Sequence, residues 1–251
     1  MIKKTIQSIM NKFGYQINSL DSLPVREVPI GGNAYFTMSQ ALQRCQQRNI
    51  AIQTVIDVGA SDGRWSADCL QYYPSAHYLL IEAQKEHRTG LESFKNVCAK
   101  ADYVIAAAGN RKGEIYFDNS GLFGGLASEE KLEGSCIVVP VTTIDDEVKL
   151  RQLPAPYLVK LDTHGFEVPI LEGAMETLKN ANLVIIEVYN FQIAKDSLRF
   201  WEMCTYMEKL GFLPLDLVDA MQRAKDNAFW QMDIFFAKKD RIEFQHNSYD
   251  Y

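Results

Sequence analysis

The sequence predicts an α/β domain in which a parallel β-sheet is covered by helices on both faces. From Thr54 onward, short β-branched runs alternate with helical patterns, the signature of successive strand-helix units. The first run ends in a glycine turn that opens a helix. The 251 residues suit one large domain of this class, and 47% apolar against 23% charged residues is the balance of an ordinary globular protein.

The strands expected are 54–58, 77–82, 102–107, 157–161 and 183–188. Trp65, Cys69 and Tyr72 share one face of the helix between the first two strands, and His87, Leu91, Phe94 and Cys98 share one face of the next. EIYF and IVVPVT, within 113–143, read as two extra strands flanking a glycine-rich loop, Gly121 to Gly125, a candidate substrate wall. Pro169 fits the first turn of a helix running to about Leu178, because its missing N–H is not needed there. Leu198, Trp201 and Cys204 mark another helix, and 212–218 with 229–237 form an antiparallel hairpin at one sheet edge.

Upstream, Ile2, Ile6, Ile9 and Phe13 recur at helical spacing beside Lys3, Lys4 and Lys12. A basic amphipathic helix over 1–15 is expected, docking on the body or a second subunit in a homo-oligomer, with weak membrane-surface contact as the alternative. Residues 18–33 read as a linker, and Met38, Ala41, Leu42 and Cys45 as a short helix. The division expected is a helical extension and linker (1–50), a main domain (51–240) and a tail (241–251).

Lys and Arg number 26 against 32 Asp and Glu, a net charge of −6, which offers no general attraction to nucleic acid. The five cysteines are widely spaced with no C-x-x-C pair, as expected of idle thiols in a reducing compartment, and no apolar run is long enough to span a bilayer. A cytoplasmic location is expected.

The strongest site signal is VIDVGASDG, residues 55–63, an apolar strand leading through Asp57 and Gly59 to a tight turn with Gly63. Such a turn aims backbone N–H groups at a ligand. Ser61 and Arg64 stand where a dinucleotide fingerprint needs glycines, so NAD is disfavoured. Glu82 ends the second strand, where an acid can accept the hydroxyls of an adenosine ribose. Asp162, His164 and Glu167 fall at the end of a core strand and the start of a helix, and Glu187 ends the next strand. An imidazole there could take a proton near neutrality. Each of these residues also has a plain structural reading, as a turn or helix-terminus group.

VIDVGASDG with Glu82, VPVTTIDD at 139–146 and LVKLDTHGFEVPILEGA at 158–174 together resemble the S-adenosylmethionine-dependent methyltransferases, more narrowly the FkbM-type family. The resemblance covers about residues 54–237. It implies a Rossmann-like class I methyltransferase fold with a seven-stranded mixed sheet. It also implies a cofactor site in which Asp57, Gly59, Ala60 and Gly63 contact the methionine part, Glu82 the ribose, and Ala106 and Ala107 the adenine, with Asp62, Ala83 and Asp162 as further cofactor-binding candidates. The chain carries Thr163-His164 where the family often has Val-Glu.

The function expected is S-adenosyl-L-methionine-dependent O-methylation of a hydroxyl on a sugar, glycan or secondary-metabolite intermediate. Asp162, His164 and Glu187 are the catalytic candidates, and no metal is required. The alternatives are a Mg²⁺-assisted catechol-type or vicinal-diol reaction using Asp162, Glu187 and Asn190, and a non-catalytic S-adenosylmethionine-binding or scaffold protein.

Overall fold

The computed structural model describes residues 35–249. The amphipathic segment 1–15 and the linker 18–33 lie outside the described residues.

Helix α1 (Met38–Gln47) is capped by Thr37, whose hydroxyl accepts the Gln40 N–H. Strand β1 (Thr54–Val58), α2 (Arg64–Leu70), β2 (His77–Glu82), α3 (Arg88–Val97) and β3 (Ala101–Ile105) follow in the expected alternation. Then come β4 (Ala107–Ala108), β5 (Gly113–Asp118), β6 (Ala127–Ser128), β7 (Cys136–Thr142), α4 (Ile144–Arg151) and β8 (Tyr157–Leu161). The chain closes with α5 (Glu167–Glu172), α6 (Met175–Lys179), β9 (Ala181–Tyr189), α7 (Phe200–Lys209), β10 (Phe212–Gln222) and β11 (Phe229–Lys238).

The main sheet has seven strands in the order β10-β11-β9-β8-β1-β2-β3. Strands β3, β2, β1, β8 and β9 are mutually parallel, while β11 runs antiparallel to both β9 and β10. This is the seven-stranded mixed sheet that the resemblance implies. Successive residues of the central strands alternate between two covered faces. Val55, Leu80, Leu158, Leu183 and Phe235 pack with α1 to α3, and Ile56, Leu79, Val159, Val184 and Phe236 pack with the later helices. Burial on both sides is why these strands are continuously apolar, each large side chain contributing about 1.5–3 kcal/mol on leaving water.

Three details differ from expectation. The strand placed at 102–107 breaks at Ala106: β3 stays with β2, whereas Ala107 and Ala108 pair with Val141 and Thr142 of β7 in a second sheet ordered β4-β7-β5-β6. The helix placed from Pro169 to Leu178 is two helices: at the break the Gly173 carbonyl accepts the Asp145 N–H at 3.0 Å and the Thr177 N–H donates to the Asp145 carboxylate at 2.8 Å, while Gly173 lies so close to Gly109 that a Cβ would be 2.0 Å from its carbonyl oxygen. The boundary at 50 moves to Phe36, where the compact unit begins. Ala41, Leu42 and Cys45 of α1 belong to its core, and Arg44 and Arg48 pair with Asp216 of β10 at 2.6 and 3.2 Å. Among the described residues no helix is long and apolar enough to cross a membrane, and all five cysteines are free.

Candidate functional site

Five parallel strands end side by side, so the residues at their C-terminal ends meet although they are distant in sequence. A cavity of about 430 Å³ opens there, lined by Gly59, Ser61, Glu82, Ala83, Ala106, Ala107 and Asp162, with His164 and Glu187 at its margin. Gly59 is required by the closeness of β1 to β8. Its φ is +74°, and a Cβ would stand 2.0 Å from the Asp162 carbonyl oxygen.

Glu82 is nearly buried, and its two oxygens accept the Ser61 and Gln84 backbone N–H groups at 2.7 Å each. A carboxylate has about four acceptor positions, so each oxygen retains one for a ligand hydroxyl. Ser61 takes φ +52°, a left-handed conformation costing about 1–2 kcal/mol that turns its N–H onto Glu82.

Asp57, Ala60, Asp62 and Gly63 do not line this cavity. Asp57 is fully buried; one oxygen accepts the Ser66 hydroxyl at 2.7 Å and the other has no hydrogen-bond partner. Burial pushes its carboxyl up to about 6, with Lys160 opposing in part. Gly63 begins α2 with φ +84° and packs under Leu80 and Phe94, while Asp62 turns outward to Arg64 at 2.7 Å. These residues shape the turn, while Gly59, Ser61 and Glu82 line the cavity.

The catalytic candidates do come together: one ligating atom from each of Asp162, His164 and Glu187 lies within 4.8 Å of the others. Asp162 pairs with buried Lys160 at 2.9 Å. Burial works against the Asp162 charge, but Lys160 overcomes it and holds the carboxyl below its ordinary value. Lys160 is therefore an ion-pair partner, and its Nζ also lies 5.3 Å from the Trp65 ring centroid.

His164 adopts φ +53° and is fixed through Nδ1, which lies 2.8 Å from Tyr189 Oη and 3.2 Å from Glu187 Oε2. The Tyr189 hydroxyl in turn donates to Glu187, whose other oxygen accepts from Gln231. This network assigns the proton to Nδ1 and leaves Nε2 as an acceptor. Nε2 lies 3.9 Å from Asp162 Oδ1 and faces Gly124 at the cavity. Burial alone would lower the imidazole's basicity, but Glu187, Asp162 and Glu167 outweigh it and raise His164 above its ordinary value.

Glu167 folds back at the start of α5 to accept the Gly165 N–H at 2.8 Å and the Thr163 hydroxyl at 3.1 Å. Asn190 is tied to Phe229 and Trp230 of β11, so its side chain serves the hairpin.

Sequence reasoning missed Gln84 and His87, which draw the glycine-rich loop to the cavity. Gln84 donates to the Gly121 and Leu122 carbonyls at 3.2 and 3.1 Å, and His87 Nε2 lies 2.7 Å from the Leu122 carbonyl oxygen. The loop expected as a candidate substrate wall thus closes over the Glu82 side, and the aromatic residues Tyr189 and Phe191 are not part of that lining. Only the spacing of Gln84 and His87 after Glu82 hints at this. The aromatic residues instead line a separate, open cavity of about 490 Å³, which shares His164 with the first.

Residues 57–214, more than half of the chain, match the model of the Methyltransferase FkbM domain. The hexuronic acid methyltransferase AglP of Haloferax volcanii is 30% identical over 77 residues, spanning 31% of this chain and 32% of that protein. An FkbM methyltransferase of Methylobacillus flagellatus aligns over 73% of this chain and 43% of its own at 15% identity and TM-score 0.47. The fibrillarin pre-rRNA processing protein of Methanococcus jannaschii aligns over 76% and 68% at 11% identity and TM-score 0.48. With three sequence segments, the sheet order and the family model in agreement, the chain belongs to the FkbM methyltransferase domain family.

Proposed function

We propose that this protein is an S-adenosylmethionine-dependent O-methyltransferase acting on a hydroxyl of a sugar or glycan. The observation that carries the reading is the His164 imidazole, tied at Nδ1 and open at Nε2, beside a cavity whose other wall is Glu82.

The residues present suit the cofactor. Glu82 keeps one acceptor position per oxygen for vicinal ribose hydroxyls, Ala83, Ala106 and Ala107 leave room for a flat base, and Gly59, lacking a side chain, leaves room for the methionine part beside Asp162. The cavity falls within the ~300–1,000 Å³ range of small-molecule sites. When bound, S-adenosylmethionine supplies a methyl group already activated on a sulfonium. The protein's work is to align the acceptor oxygen and remove its proton. His164 Nε2 takes that proton, and the imidazolium is stabilised by Glu187, directly and through Tyr189, with Asp162 close by. The hexuronic acid activity named for the Haloferax relative supports a sugar as acceptor class.

A metal-assisted reaction would use the same cluster. It is disfavoured because Lys160 neutralises Asp162, while Tyr189 and Gln231 occupy the oxygens of Glu187. A scaffold role gives no reason for a strained His164 with a free nitrogen.

Calorimetric titration tests the reading: S-adenosylmethionine should bind, Glu82→Ala should weaken binding by about tenfold or more, and methyl pyranosides should elicit S-adenosylhomocysteine. No binding to folded protein would overturn it.

A further inference from the structure

The second cavity touches the first through His164, and its walls are aromatic. Tyr189 and Trp230 meet edge to face at 5.6 Å, and Phe191 lies tilted against Trp230 at 5.5 Å. Such faces cover the C–H side of a pyranose ring while its hydroxyls turn to polar groups at the rim.

The charge of the lining is one-sided. Among the described residues that line it, Arg223 and His164 are ionisable besides the Tyr189 phenol, and none carries a carboxylate. The Arg223 guanidinium lies 4.3 Å from the Phe191 ring centroid, and its Nε and Nη2 donate to Asp226 at 3.0 and 2.6 Å. Asp226 thus occupies the Nε/Nη2 side and holds the guanidinium plane, leaving the Nη1 N–H groups and the second Nη2 N–H as an end-on pair that can meet a ligand carboxylate. Asp226 is absent from the lining, so the pair presents its cationic member to the cavity.

We propose that this cavity is the acceptor subsite and that it takes a pyranoside bearing a carboxylate, with the acid group on Arg223, the ring against Trp230 and a hydroxyl at His164. The proposal rests on the methyl-transfer reading and adds the charge of the acceptor and the residue that selects it. Arg223 is then a specificity-determining residue.

The test is titration of the full chain, with and without S-adenosylhomocysteine, using methyl β-D-glucuronide and methyl β-D-glucoside as probes. The uronide should bind about tenfold or more tighter than the neutral glycoside. Arg223→Gln should bring the two level, and Trp230→Ala should weaken both. Equal affinities in the wild type, a preference that survives Arg223→Gln, or binding of neither sugar would each overturn the proposal. S-adenosylhomocysteine binding in the same samples reports separately on the methyl-transfer reading: a chain that binds it but does not prefer the uronide loses the subsite proposal alone.

Discussion

Gly59→Ala perturbs the point where β1 and β8 bring the Glu82 side and the Asp162 side of the cavity together. The added methyl would start 2.0 Å from the Asp162 carbonyl oxygen, whereas real Cβ contacts essentially never fall below 3.0 Å, so backbone must shift by about 1 Å. The Asp162 N–H is bonded to the Val58 carbonyl at 3.1 Å, so the shift strains that bond and displaces Asp162 together with the turn that carries His164. A left-handed backbone costs alanine about 1–2 kcal/mol, and overpacking adds about 1–3 kcal/mol. The total, about 2–5 kcal/mol, is a large part of a typical stability of 5–15 kcal/mol but leaves most of that range folded. It corresponds to a fall in Tm of about 4–20 °C for a chain of this size. Gly211→Ala is the internal control: its φ is +87° but nothing lies within 4 Å of its Cβ, so only the dihedral cost of about 1–2 kcal/mol applies. Thermal unfolding followed by circular dichroism, with calorimetric titration of S-adenosylmethionine, separates the two. If Gly59→Ala melts no lower than Gly211→Ala and binds the cofactor like the wild type, the crowding argument is wrong.

Because its acidic neighbours raise His164, the imidazolium persists to higher pH than usual, and kcat/KM should climb with pH through an apparent pKa above the ordinary ~6.5. Glu187→Gln should move that limb to lower pH and reduce kcat; an unmoved limb refutes the assignment of His164 as base. The same ionisation contributes stability that is fully present below the unfolded-state pKa and lost as pH rises through the raised folded value, so Glu187→Gln should reduce the wild type's Tm advantage at acidic pH more than at alkaline pH. Turnover should also survive EDTA, since Lys160 pairs with Asp162 and the Glu187 oxygens are bonded to Tyr189 and Gln231; activity that disappears with chelator and returns with Mg²⁺ would assign Asp162, His164 and Glu187 to a cation.

Much of the fold is legible in the sequence because local physics and the global arrangement agree. Strands β1, β2 and β8 are buried on both faces, so their residues had to be almost uniformly apolar, and those runs stand out against the helical spacing between them. Helix α4 was not legible in this way. It is short, with Asp145, Asp146 and Glu147 in its first turn, and its start rests on the Thr143 hydroxyl accepting the Asp146 N–H. The break at Gly173 is set by Asp145 of α4, which donates its N–H to the Gly173 carbonyl and accepts the Thr177 N–H, a pairing that no local pattern expresses.

The same division holds for the site. By itself the sequence determined that Gly59, Glu82 and Asp162 stand at the ends of core strands and Glu187 near the end of another, which runs on to Tyr189, because strand limits follow from apolar runs and a parallel sheet gathers those ends on one edge. Only the tertiary structure decided that Asp57 turns inward to Ser66, that the loop at Gly121 and Leu122 is drawn to Gln84 and His87, and that Tyr189 links His164 to Glu187. It also brought Arg223 and Trp230 from the β10–β11 hairpin to the far side of His164. Side-chain direction and contacts between distant segments depend on packing in three dimensions, and the order of residues along the chain carries no record of them until the sheet has closed.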